Sequence, residues 1–336
     1  MRVLVLSDKI TGSSQKREDE LFHDQFMDES VLFVVEELKK RHEVSYLEAD
    51  LHLKEKLKKE RPDLVFNLVN GTALPGGISY VPNALDELGI PYTGSSGAAH
   101  GKAYDKGLTM KVLGSIGVLV PRFMEIRNLK DLSAFHLPYP VLIKPKDGGY
   151  SRGIFNENLV FTLEDLRAQV ELLLREKYTP LLLSEYIEGR EFSLGVLGNG
   201  EHLEVLPPME VCFKNLPENL HPFYSFEAKV TFEDHIENKV PAKISESLLE
   251  KLQVSARHIY RTLGLSDYAR LDFRVRGEKV YLLEANSLPG LHKTHSDLVK
   301  MMEATGRTYE DLVCSILEFA MEKHQIGVEN RLISGK

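Results

Sequence analysis

The stretch from Arg270 to Gly290, RLDFRVRGEKVYLLEANSLPG, constrains the fold more tightly than any other. Two apolar runs flank a turn around Arg276, Gly277 and Glu278, the pattern of a β-hairpin. Side chains along a strand alternate between faces, so Arg270 and Asp272 share one face, as do Glu284 and Asn286. An odd number of loop residues sets Asp272 near Glu284 on that face, and a one-residue slip parts them. Any one of these charges alone is an ordinary solvated residue. Two carboxylates and an amide oxygen beside an arginine, closed by an Asn-Ser-Leu-Pro-Gly turn, form instead a hard-cation site still short of oxygen ligands. Mg²⁺ bound through phosphates suits that set better than a closed protein cage.

The chain of 336 residues is long enough for two or three domains, with 43% hydrophobic and 27% charged residues. A net charge of −8 with no long basic run argues against nucleic acid as a partner. Cys212 and Cys314 stand far apart and in no metal-ligand spacing, as expected in a reducing compartment. The apolar run in MRVLVLSDK is too short for a signal peptide, and no run reaches the roughly 20 apolar residues of a membrane span. A cytoplasmic enzyme or binding protein, away from the membrane, is expected.

Val3 to Leu6 reads as a buried first strand, and the polar segment Asp8 to Asp28 as a long loop. A helix follows over about Glu29 to Lys40, capped by Asp28 or Ser30. Glu43 to Leu47 and Asp63 to Val69 read as strands around a helix near Leu51 to Glu60, and Ile90 to Thr93 as a last strand. Alternating strands and helices predict a parallel sheet with ligands at the carboxyl ends of its strands. The Gly/Ser/Ala-rich patch Gly94 to Gly101 marks a domain boundary. Beyond it, the strand Tyr139 to Pro145 enters KDGGYSRGI, where Gly148, Gly149 and Gly153 let backbone N–H groups approach an anion between Lys144 and Arg152. Capping boxes at Thr162–Asp165 and Ser247–Glu250 open two further helices. His221 to Lys239 has no clear period, the profile of an active-site loop, and contains Lys229. The segment from Gly327 reads as a frayed tail.

The motifs FNLVNG at Phe66, GIPYTGSS at Gly89, YDKGLTMK at Tyr104, VLIKPKDGGYSRG at Val141, YIEGREFSLGVLGN at Tyr186, FYSFEAK at Phe223, ARLDF at Ala269 and LLEANSLPG at Leu282 follow in order. In that order and spacing the chain resembles the ATP-grasp superfamily, and within it the D-alanine–D-alanine ligases. The resemblance implies a mixed α/β (α+β) fold with three-domain ATP-grasp architecture. An N-terminal parallel α/β substrate domain would take residues 1–96. A central subdomain with the glycine loop would take 97–183, a C-terminal subdomain 184–326, and a tail 327–336.

The implied cofactors are ATP and two Mg²⁺ ions, with Mn²⁺ as an alternative. Lys106 and Lys144 would hold phosphates, with the loop around Ser151 closing over them. Glu185, Tyr186 and Ile187 would face adenine and Glu191 the ribose. Asp272, Glu284 and Asn286 would bind the metals. Arg270 and the Gly290 N–H would stabilise the oxyanion, and Lys229 would reach the γ-phosphate. The implied partners are small-molecule amino-acid substrates, the implied setting peptidoglycan biosynthesis, and dimers are common in the family.

The departures fall on the amino-acid subsites. SDKITGSSQKRED replaces the family's Gly-rich loop with its Glu, leaving Glu29 as the nearest group to grip an amine. Tyr150 replaces a Ser, Val230 a Tyr, Asn70 a His, and Ser184 an acid. The loop after Gly290 is one residue longer before Ser296, the expected carboxylate contact of the second substrate. A ligase joining two amino acids, with D-Ala–D-Ala as the leading pair, is therefore expected. Its alternatives are a ligase for other amino acids or peptides, and a nucleotide-binding protein without ligase activity.

Overall fold

The computed structural model describes residues 1–8, 18–71, 74–147 and 153–326, with the side chains of 18–28 left aside. The chain opens with β1 (Arg2–Asp8), α1 (Glu18–Lys39), β2 (Glu43–Ala49), α2 (Leu53–Glu60), β3 (Leu64–Asn67) and α3 (Tyr80–Leu88). The strands form a parallel sheet in the order β2-β1-β3, with Val3 opposite both Val44 and Leu64. Covered on both faces, β1 is the continuous apolar run such a strand needs. The expected loop Asp8 to Asp28 is corrected: α1 already starts at Glu18 and runs through Asp28 and Ser30, so neither caps it. Its first eleven residues hold Leu21, Phe22, Phe26 and Met27 among seven polar or charged ones, an apolar spacing that the dense charge around it masked. The strand expected at Ile90 to Thr93 reduces to one parallel bridge, Val65 to Tyr92.

Next come α4 (Gly97–Tyr104), α5 (Lys106–Ser115), β4 (Phe123–Ile126), β5 (Val141–Pro145), β6 (Leu159–Val160), α6 (Leu163–Arg175) and β7 (Leu181–Glu185). Ser96 and Asp105 cap α4 and α5 through their side chains. The four strands form an antiparallel sheet, β4-β7-β5-β6, whose Val141, Ile143 and Leu183 pack on Leu166, Val170 and Leu173 of α6. Thr162 caps α6, but Asp165 does not return to its backbone; the Thr162 hydroxyl donates to the Asp165 carboxylate instead.

The remainder contains β8 (Arg190–Asn199), β9 (His202–Val205), β10 (Met209–Cys212), α7 (Phe226–Val230), β11 (Glu237–Lys239), α8 (Glu246–Leu263), β12 (Asp267–Arg276), β13 (Lys279–Asn286), α9 (Asp297–Glu303) and α10 (Tyr309–Lys323). Ser245, not Ser247, caps α8. The stretch His221 to Lys239 is not all loop, since α7 and β11 lie within it. The sheet runs β11-β10-β8-β12-β13, with β9 on β8. Ala269, Leu271 and Phe273 pack against Leu252, Ala256 and Ile259 of α8, which leaves the other face of β12 to Arg270, Asp272 and Arg274. A third core joins Val3, Val5 and Val34 to Leu312, Val313 and Ile316 of α10.

At the meeting of these parts Asp267 is fully buried, with φ at 64°. It accepts from Lys323 at 2.7 Å, the Gly94 N–H at 2.7 Å and Asn199 Nδ2 at 2.9 Å. Those bonds hold an αL conformation that a residue with a side chain rarely keeps.

Candidate active site

The hairpin β12–β13 has a two-residue turn, since Arg276 pairs with Lys279. An even loop in a regular ladder would set Asp272 opposite Leu283. The register instead shifts between Asp272 and Phe273, so that Phe273 faces Leu282, Asp272 faces Glu284 and Arg270 faces Asn286. Leu283 is the extra residue of a β-bulge. The expected odd loop is thus corrected: the bulge, not the turn, aligns the two carboxylates.

Arg270 lies along Asp272, its Nε and Nη2 donating to the two carboxylate oxygens at 2.9 and 3.0 Å. Its Nη1 donates to Asp297 at 3.1 Å. Burial opposes its charge, yet Asp272 and Asp297 outweigh it and raise its pKa. Asp272 also accepts from Ser193 at 2.7 Å and from Asn286 Nδ2 at 2.9 Å. Across the ladder, Glu284 lies 3.3 Å from Lys106 Nζ. Lys106 and Lys144 are both nearly buried. Burial, then Lys106, pushes Lys144 down to about 8, and burial, then Arg270, does the same to Lys229. Three cationic side chains and one divalent-type oxygen set therefore share one space, a cavity of ≈ 270 Å³. Its wall includes Lys144, Lys229, Arg270, Asp272, Glu284 and Asn286.

The other end of the cavity is built on β7 and the turn after it. Glu185, Tyr186 and Ile187 line it with Leu142 and Ile154. Arg122, at 3.0 Å, overcomes burial and holds Glu185 below the usual carboxylate range. Arg274 reaches Glu191 at 2.7 Å, the Tyr186 hydroxyl at 3.2 Å and the Ile187 carbonyl at 3.3 Å. Its guanidinium stacks 5.2 Å from the centroid of the Tyr186 ring. Burial raises the Glu191 pKa despite that partner. Gly189, at φ 147°, allows the close turn beneath: a Cβ there would stand 2.1 Å from the Val275 carbonyl oxygen.

At the opposite end, Asn70, Gly290, His292, His295 and Ser296 line the cavity. The Asn70 and Gly71 N–H groups donate to Asp8 at 2.7 and 2.8 Å, fixing the end of β1 against this corner. Ser296 accepts from the His292 N–H at 2.7 Å. Glu29, from α1, is not part of the wall itself but meets His292 Nε2 at 2.7 Å. Tyr150, Ser151, Arg152 and the glycines before them lie outside the described residues, as does the tail from Gly327.

The structure therefore gathers Lys144, Glu185, Tyr186, Ile187, Glu191, Lys229, Arg270, Asp272, Glu284, Asn286, Gly290, Asn70 and Ser296 around one space, with Lys106 reaching it through Glu284. It adds residues the sequence reading passed over. Arg274 continues the alternation of Arg270 and Asp272 and was legible from it. Ser30, read as a cap, is 3% exposed and in the wall. Asp297 carried no pattern signal, and His292, with His295, read only as a loop histidine for want of a third ligand at metal spacing.

Among the described residues no group of three or more His, Cys, Asp or Glu side chains is placed to hold a metal. The set Asp272, Glu284 and Asn286 fits a Mg²⁺ ion whose remaining ligands come from phosphate and water, because oxygen donors are what that ion takes. No helix among the described residues is long and apolar enough to cross a membrane.

Two antiparallel sheets enclosing a lysine-lined space over a carboxylate hairpin define an ATP-grasp protein. The sequence model for the D-ala D-ala ligase C-terminus matches residues 116–318. A protein of Carboxydothermus hydrogenoformans named D-alanine–D-alanine ligase is 34% identical over 300 residues, 86% of this chain and 91% of that one. The uncharacterized protein y4sG of Sinorhizobium fredii is 34% identical over 262 residues, 78% of this chain and 75% of its own. In fold, the chain is similar to the D-alanine–D-alanine ligase of Bacillus anthracis complexed with ATP. The TM-score is 0.73 at 21% identity, over 97% of this chain and 98% of that one. This chain belongs to the D-alanine–D-alanine ligase family.

Proposed function

We propose that this protein is an ATP-dependent carboxylate–amine ligase that joins two amino acids, D-alanine to D-alanine first among them, with ADP and phosphate as products. One observation carries the reading: Arg270, bound to Asp272, which faces Glu284 across the hairpin, shares its space with Lys144 and Lys229. Nucleotide binding alone needs no arginine aimed at a second reacting group.

A carboxylate is a poor electrophile. Transfer of the γ-phosphoryl group to it makes an acyl phosphate, which the second amine attacks with loss of phosphate. Such transfers need positioning and charge neutralisation more than covalent help. Lys106 and Lys144 hold the phosphates, and Lys229 reaches the γ-phosphate from α7. Glu185, Tyr186 and Ile187 receive adenine, and Glu191 the ribose. Asp272, Glu284 and Asn286 would hold Mg²⁺, which would supply charge neutralisation for the phosphates. Arg270 and the Gly290 N–H stabilise the oxyanion of the tetrahedral intermediate. Glu29, Asn70 and Ser296 face the amino acids.

We read the setting as the cytoplasm, the pathway as peptidoglycan biosynthesis, and the assembly as a homodimer. A second reading, a ligase for other amino acids, is favoured by Val230 and by the longer loop that brings His292 to the amino-acid end. Phosphate release with MgATP and D- and L-amino acids, singly and in pairs, tests both. D-alanine alone should stimulate it; stimulation only by another pair selects the second reading, and none by any pair defeats the ligase reading.

A further inference from the structure

His292 is the most constrained side chain at the amino-acid end of the cavity. It is 4% exposed, and its own N–H donates to Ser296. Its Nδ1 accepts the backbone N–H of Thr294 at 3.3 Å and of His295 at 3.4 Å. A ring nitrogen that accepts an N–H carries no proton, so the proton sits on Nε2, which donates to Glu29 Oε2 at 2.7 Å. The ring is also held edge-on, 5.1 Å from Phe33 and 4.8 Å from His295. Glu29 and Phe33 are four apart on α1 and so share one side of the helix, and together they grip the imidazole. The Glu29 side chain is 47% exposed.

We propose that His292 is a positioning residue: it holds the Glu29 carboxylate at the edge of the cavity, where Glu29 takes the ammonium group of an amino-acid substrate. This rests on the ligase reading above and adds which residue fixes that subsite. The choice of an imidazole has a physical reason. A neutral N–H donor orients one oxygen of Glu29 and leaves the negative charge available to an ammonium. A lysine or arginine in the same place would cancel the charge. A hydrogen bond to a charged group is worth about 1.5–3 kcal/mol, so its loss should cost roughly ten- to hundredfold in affinity.

The test measures D-alanine binding by equilibrium dialysis with a non-hydrolysable ATP analogue present, alongside phosphate release. His292→Ala should weaken D-alanine binding by that factor and leave the affinity for the ATP analogue unchanged. His292→Gln, which keeps an amide donor, should recover most of the loss. In a Glu29→Gln background, His292→Ala should add nothing further. Unchanged D-alanine binding in His292→Ala overturns the proposal, and so does an equal loss for nucleotide and amino acid, the mark of a mere clasp between α1 and the loop. Circular dichroism melting shows whether each variant is folded; if His292→Ala is not, the Gln variant and Glu29→Gln decide the matter by the same two affinities. A wild type that binds D-alanine but releases no phosphate defeats the ligase reading alone. A wild type that binds no D-alanine defeats the positioning role.

Discussion

Asp272 stands opposite Glu284 because one residue of the second strand, Leu283 between Leu282 and Glu284, is left without a partner in the ladder. A bulge re-aims side chains locally, and here Leu283 and Glu284, though adjacent, both line the cavity. The hairpin's turn sets a register that would bury the carboxylate, and the bulge turns it back toward Asp272.

Glu284→Gln keeps the shape of that side chain and removes the charge. Phosphate release should fall by roughly hundredfold or more, as for loss of a group that stabilises developing charge, while thermal unfolding stays cooperative. Near-normal turnover would remove Glu284 from the metal site.

Lys144 and Lys229, both brought down to about 8 by burial first, give the nucleotide site a pH signature. Below that pH they are cationic and, on the proposed function, bind phosphate; above it the free protein loses the charge. ATP affinity, followed by titration calorimetry, should therefore weaken as pH rises past about 8, by up to about tenfold per unit for each lysine. Lys144→Met should remove one of the two steps. Stability should move the opposite way: an unfolded lysine still binds its proton between about 8 and 10.5, so unfolding becomes harder as pH climbs through that window.

Lys229→Ala should lower turnover by roughly hundredfold, with the larger effect on kcat if the lysine acts on the transferring phosphoryl group. Unchanged ATP affinity and turnover, measured by phosphate release, would take it off the site.

Leu283→Ala removes apolar surface from the cavity wall that also holds Leu142, Ile154 and Ile187. A loss of about 1.4 kcal/mol, two methylene groups or fewer, is tenfold in the KM for ATP. The kcat should be unchanged, because the bulge itself is kept. An altered kcat would mean that the side chain, and not only the extra backbone unit, sets Glu284.

Arg274→Met should be costly to the fold. The arginine is 3% exposed and is the partner of Glu191, whose side chain is 11% exposed. Removing one member of a buried pair costs about 3–5 kcal/mol, to be read as a shift of the denaturant midpoint. Glu191→Gln in the same background should recover part of it.

What was legible in the sequence divides along physical lines. Helix α10 and the strands β8 and β12 follow from local periodicity, and their residues lie where that pattern puts them. The residues proposed for phosphate and metal are legible by type rather than by place: Asp272 and Glu284 lie within β12 and β13, Lys144 near the end of β5, and Lys106 and Lys229 on α5 and α7. The bulge at Leu283 left no trace, because a ladder with one extra residue has the same composition as one without it. Neither did the pairing of Glu29 with His292, which are 263 positions apart. Such contacts come from the way the parts are stacked, and no local pattern encodes that. Strand β4 was passed over because its four residues are mostly half-buried and carry no alternation.

The core shared by α1 and α10 bears on how the protein is made. Glu310 on α10 binds Lys40 and Arg41 just past α1, each at 2.8 Å, while Leu312, Val313 and Ile316 close over Val31 and Val34. Every residue named in the cavity wall lies before Tyr309. A nascent chain halted there would already contain the whole site, yet the helix that presents Glu29 would still lack its outer packing. The enzyme's chemistry is thus written in the first three hundred residues, but its geometry is finished only when the ribosome has released α10.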